Sequence, residues 1–437
     1  MKVTVIGGGL AGSEAAYQLA KRGVHVTLFE MRPGKLTPAH RTGKFAELVC
    51  SNSLKSRDIY NAHGLLKLEL EKLDSLIMRA AKFAELPGGK ALVVDRDKFS
   101  TFVTETLTSL KNVKIIREEI TEIPADEVVI VATGPLTSDR LAESLQKVLG
   151  VEHLSFFDAL SPIVDAESLN FEKLYFKDRH GWDDSSYLNA PMTEEEYYRF
   201  YEALLNAEVY MGHDFEKEEK VRYFEGCLPI EEMARRGPET LRYGPLRASG
   251  LPDPETGKEP YAVVQLRPEN QEKTAYSLVG FQTQLKIPEQ RRVFRMIPGL
   301  ENARFLRYGA VHRNTFIKAP AVMLPTLQVK NRPNLFIAGQ LVGTEGYVEA
   351  AMGGLVAGLN AFLLISGKSP VVFPVNTMIG ALLDYIAHSD PEHFQPMNAN
   401  IGLFKNIPPI RRKNRREFIV NRAIKEFDEW LKSLKIS

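Results

Sequence analysis

Cysteine is almost missing from this chain. Cys50 and Cys227 are the two in 437 residues, too few for a disulfide scaffold and too far apart for a C-x-x-C redox pair. Metal-ligand spacing of His, Cys, Asp and Glu is absent as well, so no metal centre is expected. No apolar stretch reaches the length of a membrane span before Gly, Lys or Asp interrupts it. The opening Met1-Lys2-Val3 runs straight into a strand and leaves no room for a signal peptide, so a cytoplasmic protein is expected. Excess charge is lacking too: 56 Lys and Arg against 55 Asp and Glu leave +1, which taken alone argues against a nucleic-acid partner.

The charge is unevenly placed, however. Lys286 to Arg332 carries ten Lys or Arg against Glu289 and Glu301, a local +8, and Lys405 to Lys435 carries ten against four acids, a local +6. Arg411, Arg412, Lys413, Arg415 and Arg416 are nearly contiguous within the second block. One such run is commonly a solvated helix face; two in a neutral chain point to a polyanionic partner. The length exceeds one hydrophobic core of usual size, so at least two domains are expected.

What is present at the amino end is a glycine pattern. The run 3-VTVIGGGLAGSEAAYQLAKRGVHVTLFE-30 sets Gly7, Gly9 and Gly12 between an apolar strand and an Ala-rich helix, with Glu30 closing the next strand. Gly7 permits the tight turn, Gly9 the close approach of a pyrophosphate and Gly12 the packing of helix on strand. The helix amino end favours an anion, and Glu30 stands at the spacing of a ribose-binding carboxylate. Gly8, Leu10, Ala11 and Arg32 complete the predicted cofactor set around this turn.

Farther on, 126-DEVVIVATGP-135 ends a buried strand on Ala-Thr-Gly, placing Thr133 and Gly134 where a cofactor can pass, although an ordinary tight turn needs a glycine there too. The other half of the clamp is 334-NLFIAGQLVGTEGYVEAAMGGLVAGLNA-361, again strand, glycine turn, helix. Gly339, Gly343 and Gly346 precede the helix, where backbone N–H groups can meet the distal end of a cofactor, and Gln340 belongs to the same predicted cofactor set. Gly353, Gly354 and Gly358 read as a tight packing face. The predicted fold class is α/β: a discontinuous dinucleotide-binding domain of the glutathione-reductase-like Rossmann type, residues 1–180 and 311–437, interrupted by an α+β insertion at 181–310, where Tyr- and Pro-rich sequence replaces the α/β alternation.

Cys50, in V-C-S-N-S-L-K-S, and Cys227, in F-E-G-C-L-P-I-E, sit in loop-like sequence with polar neighbours, which suits reactive thiolates. The segments 6-IGGGLAGSEAA-16, 47-ELVCSNSLKS-56, 224-FEGCLPIE-231, 240-TLRYGPL-246, 263-VVQLR-267, 279-VGFQTQL-285, 308-YGAVHRNTFI-317 and 338-AGQLVGTEGYVEA-350 resemble, over nearly the whole length, the folate- and flavin-dependent tRNA (uracil-5-)-methyltransferases, the TrmFO family. The resemblance implies FAD, reduced by NADH or NADPH, with 5,10-methylenetetrahydrofolate as donor and uridine 54 of the tRNA T loop as acceptor. It implies Cys227 as the nucleophile at C6 of uracil and Cys50 as the thiol beside the flavin that takes the C5 proton. The residues alone leave those two roles interchangeable.

Tyr347 reads as a ring-packing residue or a core tyrosine. His312 and Arg313 read as contacts to a phosphate or the uracil edge, His312 equally as a structural histidine. Arg411 to Arg416 read as contacts to the tRNA backbone or the glutamate tail of folate. Gln340 departs from flavoproteins that have an acid at the distal turn, leaving FAD contacts there to the backbone. Neither an obligate protein partner nor a membrane is implied. Two competing readings are a flavin oxidoreductase acting on a small metabolite, its basic blocks serving solubility, and a non-catalytic flavin-bound RNA-binding protein.

Overall fold

A computed structural model describes residues 2–150, 153–179, 181, 187–210 and 228–434. Its central sheet runs in the order 328–329, Arg332–Ile337, Val128–Val131, Lys2–Ile6, His25–Phe29, Val113–Ile116, all parallel except the short antiparallel edge at 328–329. The central strand Val128–Val131 is unbroken Val and Ile, and Lys2–Ile6 beside it is buried after Lys2, because helices cover both faces, as a parallel sheet requires. The strand beside Val128–Val131 comes from the far end of the chain, in the register Leu335 to Val129 through Ile337 to Val131.

Two helices meet at the heart of this lobe, Leu10–Ala20 and Tyr347–Ile365. A Cβ on Gly354 would come within 2.0 Å of the Ala11 carbonyl oxygen, and one on Gly358 within 2.9 Å of that of Ala15, so small residues are required for the axes to approach this closely. The second helix is long and apolar enough to cross a membrane, yet 83% of its apolar window is buried inside the protein. Buried carboxylates on two helices tie down the amino ends of two others. Glu14 accepts from the amides of Leu76 and Ile77, and Glu69 from those of Met378 and Ile379, each filling a helix N-terminus that would otherwise hold unpaired donors.

A second sheet, wholly antiparallel, has the order Tyr175–Phe176, Leu188–Met192, Ala262–Pro268, Ala275–Leu278, Ile163–Asp165, Phe305–Arg307. It has its own core, in which Phe281 meets Phe294 edge-on at 5.4 Å. This sheet and its core begin at Ile163 and Val164, ahead of position 181, because hydrogen-bonded strands precede the change in composition on which the sequence boundary rests. The chain passes between the lobes along an antiparallel ladder of His153–Ala159 with Val311–Ile317.

Candidate active site: a dinucleotide cleft and a thiol cavity

The cleft forms where the first strand turns into its helix. Gly7 adopts φ +101°, and a Cβ there would lie 2.6 Å from the Ala132 carbonyl oxygen. At Gly12 a Cβ would stand 1.7 Å from the Gly7 oxygen, so the helix can begin at Leu10 only with glycine at that position. Gly9 is the opposite case: nothing lies within 4 Å of its Cβ direction, and Gly9 lines the cleft with Gly7, Glu30, Arg32 and Thr133. An open backbone at a helix amino end, free of side chain, fits a dinucleotide pyrophosphate.

Glu30 faces this cleft with both oxygens already engaged. Oε2 accepts from Gly8 N at 2.9 Å and Arg32 Nη2 at 3.0 Å, and Oε1 from Arg32 N and Nε at 2.9 and 3.0 Å. Burial works against its charge, but Arg32 and the backbone donors outweigh it and hold the carboxyl below the ordinary range. Arg32, 2% exposed, also reaches Glu47 at 3.2 Å, so it serves as the counterion of two acids. Thr133 is tied to Thr137 through their hydroxyls at 2.6 Å, and Gly134 follows at φ +71°.

Leu136 lines both the cleft and a second, larger cavity of about 380 Å³. Cys50 is on its wall, half-buried, with Arg267, Gln282, Gln340, Tyr347 and Glu349 around it. Three distant segments fix the cysteine backbone. Its N–H donates to the Tyr347 hydroxyl at 2.7 Å, which also accepts from Ser51 N at 3.0 Å. Its carbonyl accepts from Arg96 Nη2 at 3.2 Å and Arg307 Nη2 at 3.1 Å. Both guanidinium groups also lie close enough to feel the charge of Cys50, which works to raise the pKa of each.

The arginines differ in how their charge is kept. Burial opposes the charge of Arg96, but Glu269, with Oε2 2.5 Å from Nε, more than compensates and the pKa rises. Burial pushes Arg307 down to about 10, and the positive charge of Arg96 adds to that. Arg267 holds the neighbouring loop through Asn52 Oδ1 at 2.6 Å and Ser51 Oγ at 2.8 Å. Burial, with Cys50 beside it, pushes the Tyr347 phenol upward, which keeps it a neutral hydroxyl.

At the distal turn, Gly339 and Gly343 take φ +78° and +82°, and Gln340 donates to Glu345 at 3.0 Å. An acid is therefore present in this turn, five residues after the glutamine. Cys227 and the side chains of His312, Arg313, Arg412 and Lys413 lie outside the described residues. The backbone of His312 and Arg313 pairs with Asp158 and Phe157 in the inter-lobe ladder. Arg411 precedes the Arg412–Ser433 helix, where Arg411, Arg415 and Arg416 are exposed. Cations at the already positive end of a helix repel it, an arrangement that suits an anionic partner.

The sequence reading missed Arg96, Arg307 and Glu269, which carried no motif of their own. Asn52, Lys55 and Arg267 stood inside the segments bearing the resemblance, yet only their place around one cavity gives them a role. Among the described residues no cluster could hold a metal ion.

Comparison with known proteins finds relatives over nearly the whole chain. Residues 2–369 match the family model described as glucose inhibited division protein A. A methylenetetrahydrofolate–tRNA-(uracil-5-)-methyltransferase TrmFO of Desulforudis audaxviator is 57% identical over 98% of this chain and 98% of its own. One from Anoxybacillus flavithermus is 54% identical over 99% and 100%. Among solved structures, Aquifex aeolicus GidA superimposes with a TM-score of 0.70 at 20% identity, covering 98% of this chain and 73% of that one, a likeness of fold.

Proposed function

The chain belongs to the glucose inhibited division protein A family and, within it, to the methylenetetrahydrofolate–tRNA-(uracil-5-)-methyltransferases, and from that premise we propose that it converts uridine 54 of the tRNA T loop to 5-methyluridine with FAD as cofactor and NADH or NADPH as reductant. The observation that carries the reading is Cys50 on the wall of a cavity that shares Leu136 with the dinucleotide cleft. A tRNA substrate is consistent with a cytoplasmic location.

C5 of uracil is a weak nucleophile until a thiolate adds at C6; the electron pair then resides on the C4 oxygen and on C5, which attacks the one-carbon unit. We assign the addition to Cys227. Cys50 then takes the C5 proton, with Arg96 and Arg307 favouring the thiolate that this step needs and Tyr347 fixing its backbone. Gly7, Gly8, Gly9, Leu10, Ala11 and Gly12 would hold the FAD phosphates, Glu30, through Arg32, the ribose end, and Thr133, Gly134, Gly339, Gln340, Gly343 and Tyr347 the distal end. The flavin supplies the hydride that completes the methyl group. His312, Arg313 and the basic residues Arg411, Arg412, Lys413 and Arg415 would contact tRNA or folate.

The test is to incubate a T-loop transcript with labelled methylenetetrahydrofolate, NADH and the protein, then map the label. Label in 5-methyluridine at position 54 is expected; label elsewhere, or none, overturns the assignment. Reversing Arg415 to Glu should weaken tRNA binding several-fold and lower the salt slope by about 1. Unchanged binding would instead favour an oxidoreductase of small metabolites.

A further inference from the structure

The cations around the thiol cavity are nearly all engaged. Arg96 is paired with Glu269, Arg267 holds Asn52 and Ser51, and Arg307 donates to the carbonyls of Val49, Cys50 and Ser161. Lys67, behind the wall, donates to the carbonyls of Ser56 and His63 at 2.8 and 3.2 Å. Lys55 is the exception: it lines the cavity, is half-buried, and among the described residues its ammonium makes no hydrogen bond and no ion pair within 4 Å.

Its place is imposed by the backbone. Lys55 has φ +62°, a left-handed conformation that non-glycine residues seldom adopt, with its N–H turned onto Ser53 Oγ at 3.1 Å. The side chain comes to rest over the amino end of the Tyr347–Ile365 helix. A Cβ on Gly346 would lie 3.3 Å from Lys55 Nζ and 2.2 Å from Glu349 Oε2.

Glu349, 1% exposed, is the one buried acid facing this ammonium from that helix, and it is held from behind by Ala399 N at 2.9 Å and His63 Nδ1 at 3.2 Å. It balances the charge in the protein without taking up the lysine's donors. Burial pushes Lys67 down to about 7, and the charge of Lys55 adds to that.

We propose that Lys55 is the oxyanion-stabilising cation of this cavity, its ammonium donating to a ring-borne enolate-type oxygen of the bound partner. Two sources offer that chemistry. Addition of a thiolate at C6 of uracil forms the S–C6 bond and moves the C5–C6 pair toward the C4 oxygen. Reduction of an isoalloxazine by hydride from a nicotinamide places one negative charge on its N1–C2–O2 edge. A fixed ammonium facing the site where charge develops stabilises either without reorganising. The naming of the two rings rests on the methyltransferase reading; the presence of the cation does not.

The test uses the FAD-loaded protein with Lys55→Met and Lys55→Arg. If the flavin is the partner, Lys55→Met without RNA lowers the midpoint potential by about 30 mV, the equivalent of a tenfold change for a two-electron couple, and Lys55→Arg restores it. If uracil is the partner, the potential is unmoved and covalent adduct formation with 5-fluorouridine tRNA slows about tenfold, again restored by Arg. Flavin content and thermal unfolding establish that each variant is folded and loaded. A folded, loaded Lys55→Met protein with parental potential and parental adduct rate overturns the proposal. Methylation found at another nucleotide, with the Lys55→Met effects intact, would remove the position-54 assignment and leave the cation standing.

Discussion

The cleft and the cavity share one leucine and are built by opposite means. The phosphate end of the cleft is backbone from the first strand-to-helix turn, where three glycines clear space and a helix amino end supplies donors. The cavity is made of side chains, and its cysteine is anchored by Tyr347, Arg96 and Arg307, none of them near it in sequence. A site made by removing side chains is encoded locally; one made by converging side chains exists only once the fold is complete.

The contrast predicts that each part can be broken while leaving the other intact. The largest effect is expected from Cys50→Ala, which should lower methyl transfer by roughly 10³–10⁴-fold in single-turnover assays while flavin absorbance is retained. Loss of the flavin along with activity would mean that the cavity also builds the cleft. Arg96→Met strands Glu269 in the interior and should destabilise the protein by about 3–5 kcal/mol in urea unfolding, with part recovered by adding Glu269→Gln. Additive effects would deny that the pair acts as a unit.

Gly12→Ala drives a methyl group against the Gly7 oxygen and should lose the flavin with a penalty of about 3 kcal/mol, even though the thiol cavity is untouched. A yellow Gly12→Ala protein would refute the backbone account of the cleft. The smallest effect is read through acid. Burial opposes the charge of Glu349, but His63, Lys55 and Ala399 N–H more than offset it and hold the carboxyl at about 2, below the unfolded value near 4.5. Its contribution, up to about 3 kcal/mol, is therefore present above pH 4.5 and lost as pH falls toward 2. Glu349→Gln should flatten the acid limb of the stability curve in that window, and an unchanged limb would show that other carboxylates set it.

The same contrast explains what could be read from the chain. Gly7, Gly9, Gly12 and the strand–helix–strand frame are visible because each position carries its own steric reason. Cys50 is visible because cysteine is so scarce here. Arg96 and Arg307 are invisible, since an arginine gains its meaning from a partner 46 or 257 residues away. The start of the second sheet at Ile163 was hidden for a related reason: Ile163–Asp165 is a strand because Ala275–Leu278 pairs with it, and no composition change marks it.

The Tyr347–Ile365 helix has one more consequence, concerning the order of synthesis. Its partner, Leu10–Ala20, leaves the ribosome more than three hundred residues earlier, and the strand beside Val128–Val131 also arrives late. Until then the nascent amino-terminal half displays an unpaired strand edge and a bare alanine-lined groove, both open to aggregation. When the late helix emerges, with the hydropathy of a membrane anchor, that groove is the apolar refuge waiting for it. Closure of the parallel sheet is thus postponed to the last quarter of translation, where contacts this distant make folding slow.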